Sequence, residues 1–506
     1  MSDMPKHIVI VGGGTAGWMT ANLFAHQWLS KGIEITLIES ASIGTVGVGE
    51  GTTPFIKDYF ERIGIAEEEW MPAAHATFKT GISFPNWSTI AGNRSYFHPF
   101  YSEIDNQSVP VLFENANLRR AGYSAPAHPD DYFVTTALAK QYRAPKHINP
   151  QQSLDYGYHF DAGLLGNFLQ RKGIERGINQ IEGEVETVQS TFDGEIESVT
   201  LKSGLTIAGD FFIDCSGFKG LLIQQHLGEK LIPFDQYLFN DSAVAIQTPR
   251  DCGQPLPSET RSEAIKNGWV WSIPLQSRYG NGYVYSAKYI SAEQAEAELR
   301  SYLGEASHGM KALHLKWNVG RIEQHWKTNC VAIGLSQGFL EPLEAPMLNI
   351  IQYTLESFVT VFEKADFTAL HRDAFNQSVN NLIDGTVDYL QTHYLLNTRT
   401  DSKYWQDCRD NTNVSPQLKN ILAGWYKNND FNVILQQNMK THAYFKTSWY
   451  CILSGMDFYS PARYAPKSIS ISKHQNAKRQ VAEVASSYWS HKEYIANLNR
   501  SDEIKG

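Results

Sequence analysis

Three glycines near the amino terminus have the spacing of a dinucleotide-binding turn. Gly12, Gly14 and Gly17 form the pattern G-x-G-x-x-G directly after the apolar run 7–11. Glycines at these positions allow a tight turn, a close approach of the backbone to a pyrophosphate, and close packing of the following helix, whose amino terminus faces the phosphates. Glu39 lies about twenty residues further on, at the end of a second β-like run, where a carboxylate accepts a hydrogen bond from a ribose hydroxyl. The pattern therefore predicts a βαβ unit that binds FAD or NAD.

A later strand and turn distinguish between these two dinucleotides. Residues 211–214, Phe-Phe-Ile-Asp, have the pattern of a short buried strand and lead into Cys215, Ser216 and Gly217. This segment resembles the second nucleotide-contacting strand and turn of FAD-dependent monooxygenases, which favours FAD. We therefore predict the α/β class, with an FAD-dependent monooxygenase-type Rossmann-like fold and a helical substrate-binding module.

The pattern along the chain indicates two modules. The 506 residues have room for two to four units of roughly 100–200 residues each. Residues 99–150 are polar and interrupted by prolines, as in an insert, whereas helical periodicity dominates after residue 349 and the tail from Ser470 predicts a terminal amphipathic helix. The predicted FAD-binding module comprises 1–98 and 155–349, and the predicted substrate module comprises the insert 99–154 and the mainly helical segment 350–506.

Composition excludes several classes of function. The formal charge is -9 and the basic residues are spread along the chain, which argues against nucleic-acid binding. The five cysteines are far apart in the sequence, so they predict no metal site and favour a reduced cytoplasm. Apolar runs are shorter than the ~18 residues that a membrane span requires. We therefore expect a soluble cytoplasmic protein without a membrane or nucleic-acid partner.

Four motifs in a fixed order make the resemblance to one family specific. They are Gly12-Gly13-Gly14-Thr15-Ala16-Gly17-Trp18, Val46-Gly47-Val48-Gly49-Glu50, Trp269-Val270-Trp271-Ser272-Ile273-Pro274 and Glu341-Pro342-Leu343-Glu344. The chain resembles the flavin-dependent halogenases, the family of tryptophan halogenases and their indole- and phenol-acting relatives. The W-x-W-x-I-P segment distinguishes that family from ordinary flavin hydroxylases, and the resemblance implies that Trp269 and Trp271 lie near the flavin. It also implies FAD contacts from Gly12, Gly14, Thr15, Ala16, Gly17, Glu39, Val48, Gly334 and Leu335.

The same resemblance identifies two catalytic residues. Lys79, in T-F-K-T-G-I-S-F-P-N-W, matches the family's lysine, and Glu344 matches the glutamate that works with it. In the family, reduced FAD and O2 oxidise halide to hypohalous acid, which moves to these two residues and halogenates an electron-rich arene. A lysine ammonium can polarise hypohalous acid, and burial also makes a reactive amine accessible, so a hydrogen-bonded hypohalous acid and a lysine haloamine both stay open. Glu341 is expected to be structural, and Glu50 is expected to organise its loop.

The halide loop departs from the family pattern. Tryptophan halogenases usually read Glu-Ser-Thr-Gly where this chain reads Glu344-Ala345-Pro346-Met347. In those relatives the backbone amides after the serine help to hold chloride, but Pro346 has no N–H group. We therefore expect a poorly donating halide site beside Pro346 and Met347 that favours bromide or iodide over chloride.

Aromatic residues mark the expected substrate pocket. His98 and Phe100 follow the lysine segment, and Tyr444, Trp449 and Tyr450 belong to a carboxy-terminal segment that resembles a substrate-proximal part of the family. Stacking against such side chains orients a ring and leaves its reacting carbon accessible. The expected substrate is an indole, tryptophan or phenol, either free or bound to a carrier protein.

The source of reduced flavin separates this hypothesis from its rivals. With a single dinucleotide fingerprint, the chain is expected to depend on a separate NAD(P)H-dependent flavin reductase. One alternative is a single-component FAD-dependent aromatic hydroxylase, in which Lys79 and Glu344 have no special role. Another is a catalytically silent FAD-binding scaffold.

Overall fold

A six-stranded sheet contains the glycine-rich turn at the amino terminus. The computed structural model describes residues 4–40, 50–149, 154–437, 443–461, 467–468 and 470–503. All neighbouring pairs in this sheet are parallel except the last one. In spatial order its strands are Asn179–Glu182, Glu34–Glu39, His7–Val11, Phe211–Asp214, Cys330–Ala332 and Trp326–Lys327.

The central strands of this sheet are apolar because both faces are covered: Ile8 and Ile10 pack in one core cluster with the helix Thr15–Trp28, and Val9 and Val11 pack in another with the strand Ile196–Leu201. Residues 8–11 are buried, and the strand His7–Val11 pairs with Glu34–Glu39 on one side and with Phe211–Asp214 on the other. The helix Thr15–Trp28 follows the glycine turn and packs against the helix Ala162–Arg176. The predicted Rossmann-like α/β fold is thus confirmed.

A second, seven-stranded sheet is antiparallel apart from one parallel pair. The exception joins Thr260 to Ile82 and Arg261 to Ser83. The W-x-W-x-I-P motif forms one of its central strands, and His98 lies on its edge strand. In spatial order the strands are Ala312–Lys316, Ser242–Pro249, Arg278–Tyr285, Gly268–Pro274, Thr260–Ile265, Gly81–Pro85 and Ser95–Pro99.

A small antiparallel sheet carries Lys79. Its strand order is Glu50–Gly51, Gly157–Phe160 and Thr77–Lys79, so the lysine lies on an edge strand. One residue, Thr80, separates this strand from the strand Gly81–Pro85 of the seven-stranded sheet. The remaining strands are Tyr123–Ser124, Arg143–His147, Val185–Ser190, Ile196–Leu201, Thr206–Ala208, Ile232–Pro233, Gly320–Arg321, Gly338–Phe339, Lys467–Ser468 and Tyr488–Ser490.

Helices cover the sheets and dominate the chain after residue 345. Among the described residues, none of the helices has both the length and the apolar character that a membrane span requires. In chain order the α-helices are Thr15–Trp28, Ile56–Arg62, Glu67–Ala73, Val109–Arg120, Val134–Lys140, Ala162–Arg176, Ala292–Leu303, Pro346–Lys364, Arg372–Leu395, Lys403–Arg409, Pro416–Tyr426, Phe431–Gln437, Lys446–Gly455, Ser472–Ala485 and His491–Glu503.

The carboxy-terminal tail differs from the prediction of a single helix. Two helices, Ser472–Ala485 and His491–Glu503, flank the short strand Tyr488–Ser490. That strand pairs with Arg143–His147, so a distant partner overrides the local helical pattern. The expected module boundaries at 98/99 and 349/350 fall inside the strand Ser95–Pro99 and the helix Pro346–Lys364, and the division into modules stays a prediction.

A buried carboxylate connects the antiparallel sheet to the helical layer. Glu341 Oε1 accepts a hydrogen bond of 2.6 Å from the hydroxyl of Tyr394, and Oε2 accepts one of 3.0 Å from Asn240. The Tyr394 oxygen in turn accepts from the indole N–H of Trp269, at 2.9 Å. Burial raises the pKa of Glu341 to about 7, although the Tyr394 and Asn240 hydrogen bonds act to lower it. This network supports the structural role expected for Glu341.

The raised pKa of Glu341 predicts a pH-dependent contribution to stability. The folded chain binds a proton at Glu341 more tightly than the unfolded chain, so protein stability relative to a Glu341→Gln variant should increase as pH falls from about 8 to about 5. Thermal unfolding of both proteins across this range measures the difference. Glu305→Gln, at an exposed position of the short 3-10 helix Gly304–Ser307, is the control and should give a flat difference. A flat difference for Glu341→Gln would contradict the raised pKa.

Candidate active site

The glycine turn leaves space only where a phosphate group would approach. A Cβ atom on Gly12 would lie 2.1 Å from the carbonyl oxygen of Cys215, and one on Gly17 would lie 1.8 Å from the carbonyl oxygen of Gly12. A Cβ atom on Gly14 would have no neighbour within 4 Å among the described residues. Gly14 is the residue before the helix Thr15–Trp28 and provides no side-chain cap, so the first N–H groups of that helix face the open position.

Glu39 is held at the end of its strand by three donors. Its carboxylate accepts hydrogen bonds from the indole N–H of Trp18, at 3.2 Å, from Gln170, at 2.7 Å, and from Gln180. A Cβ atom on Gly13 would lie 1.8 Å from Oε2 of Glu39, so this carboxylate closes over the glycine turn. A carboxylate has about four acceptor positions, and the donors among the described residues occupy three of them, which leaves one for a ribose hydroxyl.

A second glycine brings another loop to the same turn. Gly334 has a φ of +84°, and a Cβ atom on it would lie 2.8 Å from the Cβ of Ala16. Gly334 and Leu335 therefore lie at the amino terminus of the helix that begins at Thr15. These residues fit the pyrophosphate end of FAD. Val48, the remaining predicted FAD contact, lies outside the described residues.

Lys79 is fully buried and points its ammonium into an aromatic space. Its Nζ lies 5.6 Å from the ring centroid of Phe100. The atom has no hydrogen-bond partner among the described residues. Burial lowers the pKa of Lys79 to about 8, and the charge of Glu344 opposes that shift. A Cβ atom on Gly51 would lie 3.2 Å from Nζ, so this glycine makes room for the ammonium.

Glu344 interacts electrostatically with Lys79 and lies between two histidines. Nδ1 of His98 lies 2.7 and 2.8 Å from the two carboxylate oxygens, and Nε2 of His393 lies 3.3 Å from Oε1. Burial acts to raise the pKa of Glu344, but the charge of His98 and the contacts from both histidines outweigh it and lower that pKa to about 2. Glu344 is therefore a carboxylate at neutral pH.

His393 is a site residue that the sequence did not reveal. It lies on the helix Arg372–Leu395, and its neighbours in the sequence resemble those of an ordinary buried helix. Tyr389, one helical turn earlier on the same face, also lies in the pocket. The helix therefore brings both side chains to Glu344, a placement that depends on tertiary packing.

The loop before the helix Pro346–Lys364 is left-handed at two successive residues. The φ angles of Glu344 and Ala345 are +66° and +53°. The N–H group of Ala345 donates to the carbonyl oxygen of Pro342 at 2.9 Å. Pro346 then begins the helix without an N–H group, so Met347 is the first residue of this helix that carries one.

The aromatic residues predicted for the pocket divide into two groups. The ring of Tyr444 stacks on that of Tyr389, with centroids 3.7 Å apart, and lies 6.2 Å from His98. The ring of Trp449 meets Tyr389 edge-on at 5.2 Å. Phe100 thus lies beside Lys79 and His98 beside Glu344, while Tyr444 and Trp449 adjoin this group through His98 and Tyr389.

Tyr450 lies elsewhere, in contrast to its placement in the predicted pocket. Successive residues on a helix are rotated by about 100° around its axis, so the side chains of Trp449 and Tyr450 leave the helix in different directions. Its ring packs against Phe113, at 4.3 Å, and Trp425, at 5.1 Å. This separate aromatic cluster gives Tyr450 a packing role.

The two tryptophans of the W-x-W-x-I-P strand also have packing roles. Their ring centroids are 6.3 Å apart on one face of the strand. Trp269 donates to Tyr394 in the Glu341 network, while the Trp271 ring covers Gly282, where a Cβ atom would lie 2.1 Å from it. Their proximity to the flavin stays a prediction.

Comparison with known proteins identifies the family. The tryptophan halogenase family model matches residues 7–472. The chain is 38% identical over 449 residues to the tryptophan 6-halogenase SttH of Streptomyces toxytricini, covering 83% of this chain and 84% of that protein. It is 33% identical over 422 residues to the tryptophan 7-halogenase RebH of Lentzea aerocolonigenes, covering 80% of this chain and 79% of that protein.

Structural comparison agrees with the sequence comparison. The structure of BrvH, a flavin-dependent halogenase from Brevundimonas sp. BAL3, superposes with a TM-score of 0.83 at 30% identity and covers 98% of this chain and 99% of that chain. The family and the enzyme class predicted from the motifs are confirmed. This chain belongs to the tryptophan halogenase family of flavin-dependent halogenases.

Proposed function

We propose that this enzyme uses Lys79 and Glu344 to halogenate an electron-rich aromatic ring with hypohalous acid. The observation that carries this proposal is the buried ammonium of Lys79, which has no hydrogen-bond partner among the described residues and which interacts electrostatically with Glu344. A buried charge without a partner is costly, so its retention indicates that the partner is a reactant.

O2 supplies the oxidising power, and the protein directs where it is used. When bound, reduced FAD would supply the two electrons that activate O2, so that one oxygen atom ends in hypohalous acid and the other in water. The Lys79 ammonium is placed to donate a hydrogen bond to the oxygen of that acid, which makes the halogen more electrophilic. The arene then forms a carbon–halogen bond while the halogen–oxygen bond breaks, and the oxygen leaves as water after it gains a proton.

Glu344 completes the substitution. Its pKa of about 2 keeps it a carboxylate, so it can stabilise the positive charge on the ring and accept the proton that the reacting carbon loses. His98 fixes its orientation through contacts of 2.8 and 2.7 Å with both oxygens, and Nε2 of His393 lies 3.3 Å from Oε1. A carboxylate held at both oxygens loses little conformational freedom when the charge on the ring develops.

The pocket favours a flat, electron-rich substrate. Phe100, His98 and the stacked pair Tyr389 and Tyr444 present ring faces and edges near the two charged groups. Since SttH and RebH are named for tryptophan, an indole is the substrate class that we propose here, with tryptophan itself as the first compound to test. Reduced FAD would come from a separate NAD(P)H-dependent flavin reductase.

Removal of either charged group should abolish halogenation and preserve FAD binding. Lys79→Met eliminates the ammonium and Glu344→Gln eliminates the negative charge, so each should lower the rate of tryptophan or indole bromination by about 10²-fold or more. Mass spectrometry of the product, with its bromine isotope pattern, measures the loss. FAD fluorescence titration verifies that the cofactor still binds.

Lys266→Met is the matched control, because this lysine lies in an exposed turn of the antiparallel sheet. Its bromination rate should equal that of the unmodified enzyme. Bromination by Lys79→Met at the unmodified rate would disprove the catalytic role of Lys79.

The halide loop supports a preference for bromide or iodide over chloride. Pro346 has no N–H group and the N–H of Ala345 is used by Pro342, so the loop offers few donors to a strongly hydrated chloride. With equal concentrations of chloride and bromide, the brominated product should exceed the chlorinated one. Quantification of both products by mass spectrometry tests this preference, and an excess of chlorinated product would refute it.

Dependence on external reductant distinguishes this enzyme from a single-component hydroxylase. The sequence contains one dinucleotide fingerprint, which FAD occupies in this proposal. NADH added to the FAD-loaded protein should therefore leave the flavin absorbance unchanged, whereas NADH with a flavin reductase should bleach it. Rapid bleaching by NADH alone would favour the hydroxylase.

A further inference from the structure

The strand that carries Lys79 has an outer edge that no other strand covers in the described structure. Thr77–Lys79 is the edge strand of its sheet, and its inner neighbour is Gly157–Phe160. Beyond the strand, the N–H group of Thr80 donates to the carbonyl oxygen of Ser258 at 2.7 Å. A buried backbone N–H group at such an edge needs an acceptor from another part of the chain.

His491 supplies that acceptor from the carboxy-terminal helix. The N–H group of Phe78 donates to Nε2 of His491 at 3.0 Å, and Nδ1 of His491 lies 3.2 Å from the carbonyl oxygen of Leu256. Because Nε2 accepts, the proton is on Nδ1, which donates to Leu256. The imidazole is fully buried, and burial lowers the pKa of His491 to about 3, so the neutral form persists at physiological pH.

The same helix supports the back of the lysine strand. Successive side chains of a strand point to opposite faces, so Phe78 points away from the pocket that Lys79 enters. The Phe78 ring lies 5.7 Å from the His491 ring and 5.7 Å from the Tyr494 ring. Further along this helix, Asn499 donates to Gln276, which in turn donates to the carbonyl oxygen of Ala76 just before the strand.

We propose that His491 is a positioning residue that determines where the Lys79 ammonium lies. It fixes the peptide group between Thr77 and Phe78 and links it through Leu256 to the segment that holds Thr80, so the backbone is held on both sides of Lys79. This inference rests on the proposed catalytic role of Lys79. A displacement of a catalytic group by ~1 Å can cost ~10²-fold in rate, so loss of the hydrogen bond should affect the use of the oxidant.

Two polar substitutions of His491 distinguish the effect of the Nε2 acceptor from the effect of the other contacts of the imidazole. In His491→Asn the amide nitrogen replaces Nδ1 and can still donate to Leu256, but the side chain is too short to reach the N–H of Phe78. In His491→Gln the amide oxygen reaches the position of Nε2 and restores the acceptor. His491→Leu is a second variant without an acceptor, with a similar volume.

The experiment measures how efficiently the oxidant is used. Each FAD-loaded variant receives chemically reduced FAD, O2, bromide and indole, and brominated indole per O2 consumed is measured together with hypobromous acid captured by a soluble trap. His491→Asn and His491→Leu should yield about tenfold less product per O2, with a matching increase in trapped hypobromous acid, and His491→Gln should restore most of the product. Lys492→Met, at the next, exposed position, should behave like the unmodified enzyme.

The outcomes distinguish this inference from the proposed function. Unchanged product per O2 in His491→Asn and His491→Leu would overturn the positioning role, as would equal losses in the Asn, Leu and Gln variants. A reduced O2 consumption with an unchanged product ratio would indicate a structural role and would also overturn it. If Lys79→Met still brominates indole, the proposed function itself fails, whereas an inactive Lys79→Met beside a fully efficient His491→Asn refutes only the inference.

Discussion

Two opposite charges buried in one pocket impose the main constraint on this protein. Taking an ammonium and a carboxylate out of water costs free energy unless each gains compensating contacts. Glu344 gains them from His98 and His393, and its pKa falls to about 2. Lys79 gains no hydrogen bond within the described structure, and its pKa falls to about 8. The carboxylate of Glu344 therefore has polar partners within the described structure, whereas the ammonium of Lys79 lacks a hydrogen-bond acceptor there. The ammonium is thus available to a reactant.

Three separate structural units keep this unequal pair in place. The small sheet carries Lys79, the edge of the seven-stranded sheet carries His98, and the helical layer carries His393 and the helix after Glu344. The glycine turn, which we propose binds FAD, belongs to a fourth unit, the largely parallel sheet. Under the proposed function the oxidant is made and used at different places, and the second place depends on contacts between units.

The sequence was most informative where geometry is local. The glycine turn was predictable because the spacing of Gly12, Gly14 and Gly17 is itself the signal. A side chain at Gly12 or Gly17 would clash with nearby backbone atoms, so the tight turn requires glycine there. His393 was not predictable, because only the packing of a helix far along the chain brings it to Glu344. The tail was mispredicted for the same reason, since Tyr488–Ser490 takes its conformation from the strand Arg143–His147. The motifs pointed to Lys79 and Glu344, and His98 was expected in the pocket, but the contact between His98 and Glu344 and the presence of His393 became apparent only from the fold.

The hydrogen bond between Phe78 and His491 also has a consequence for folding during protein synthesis, because it joins residues that are 413 positions apart in the chain. A chain is synthesised at about 5–20 residues per second, so tens of seconds separate the appearance of the glycine turn from that of His491. The parallel sheet receives its last strand from residues 330–332, well before that point. The parallel sheet with its glycine turn can thus form before the Lys79 strand has its support from His491, so under the proposed function FAD binding can precede a complete halogenation site.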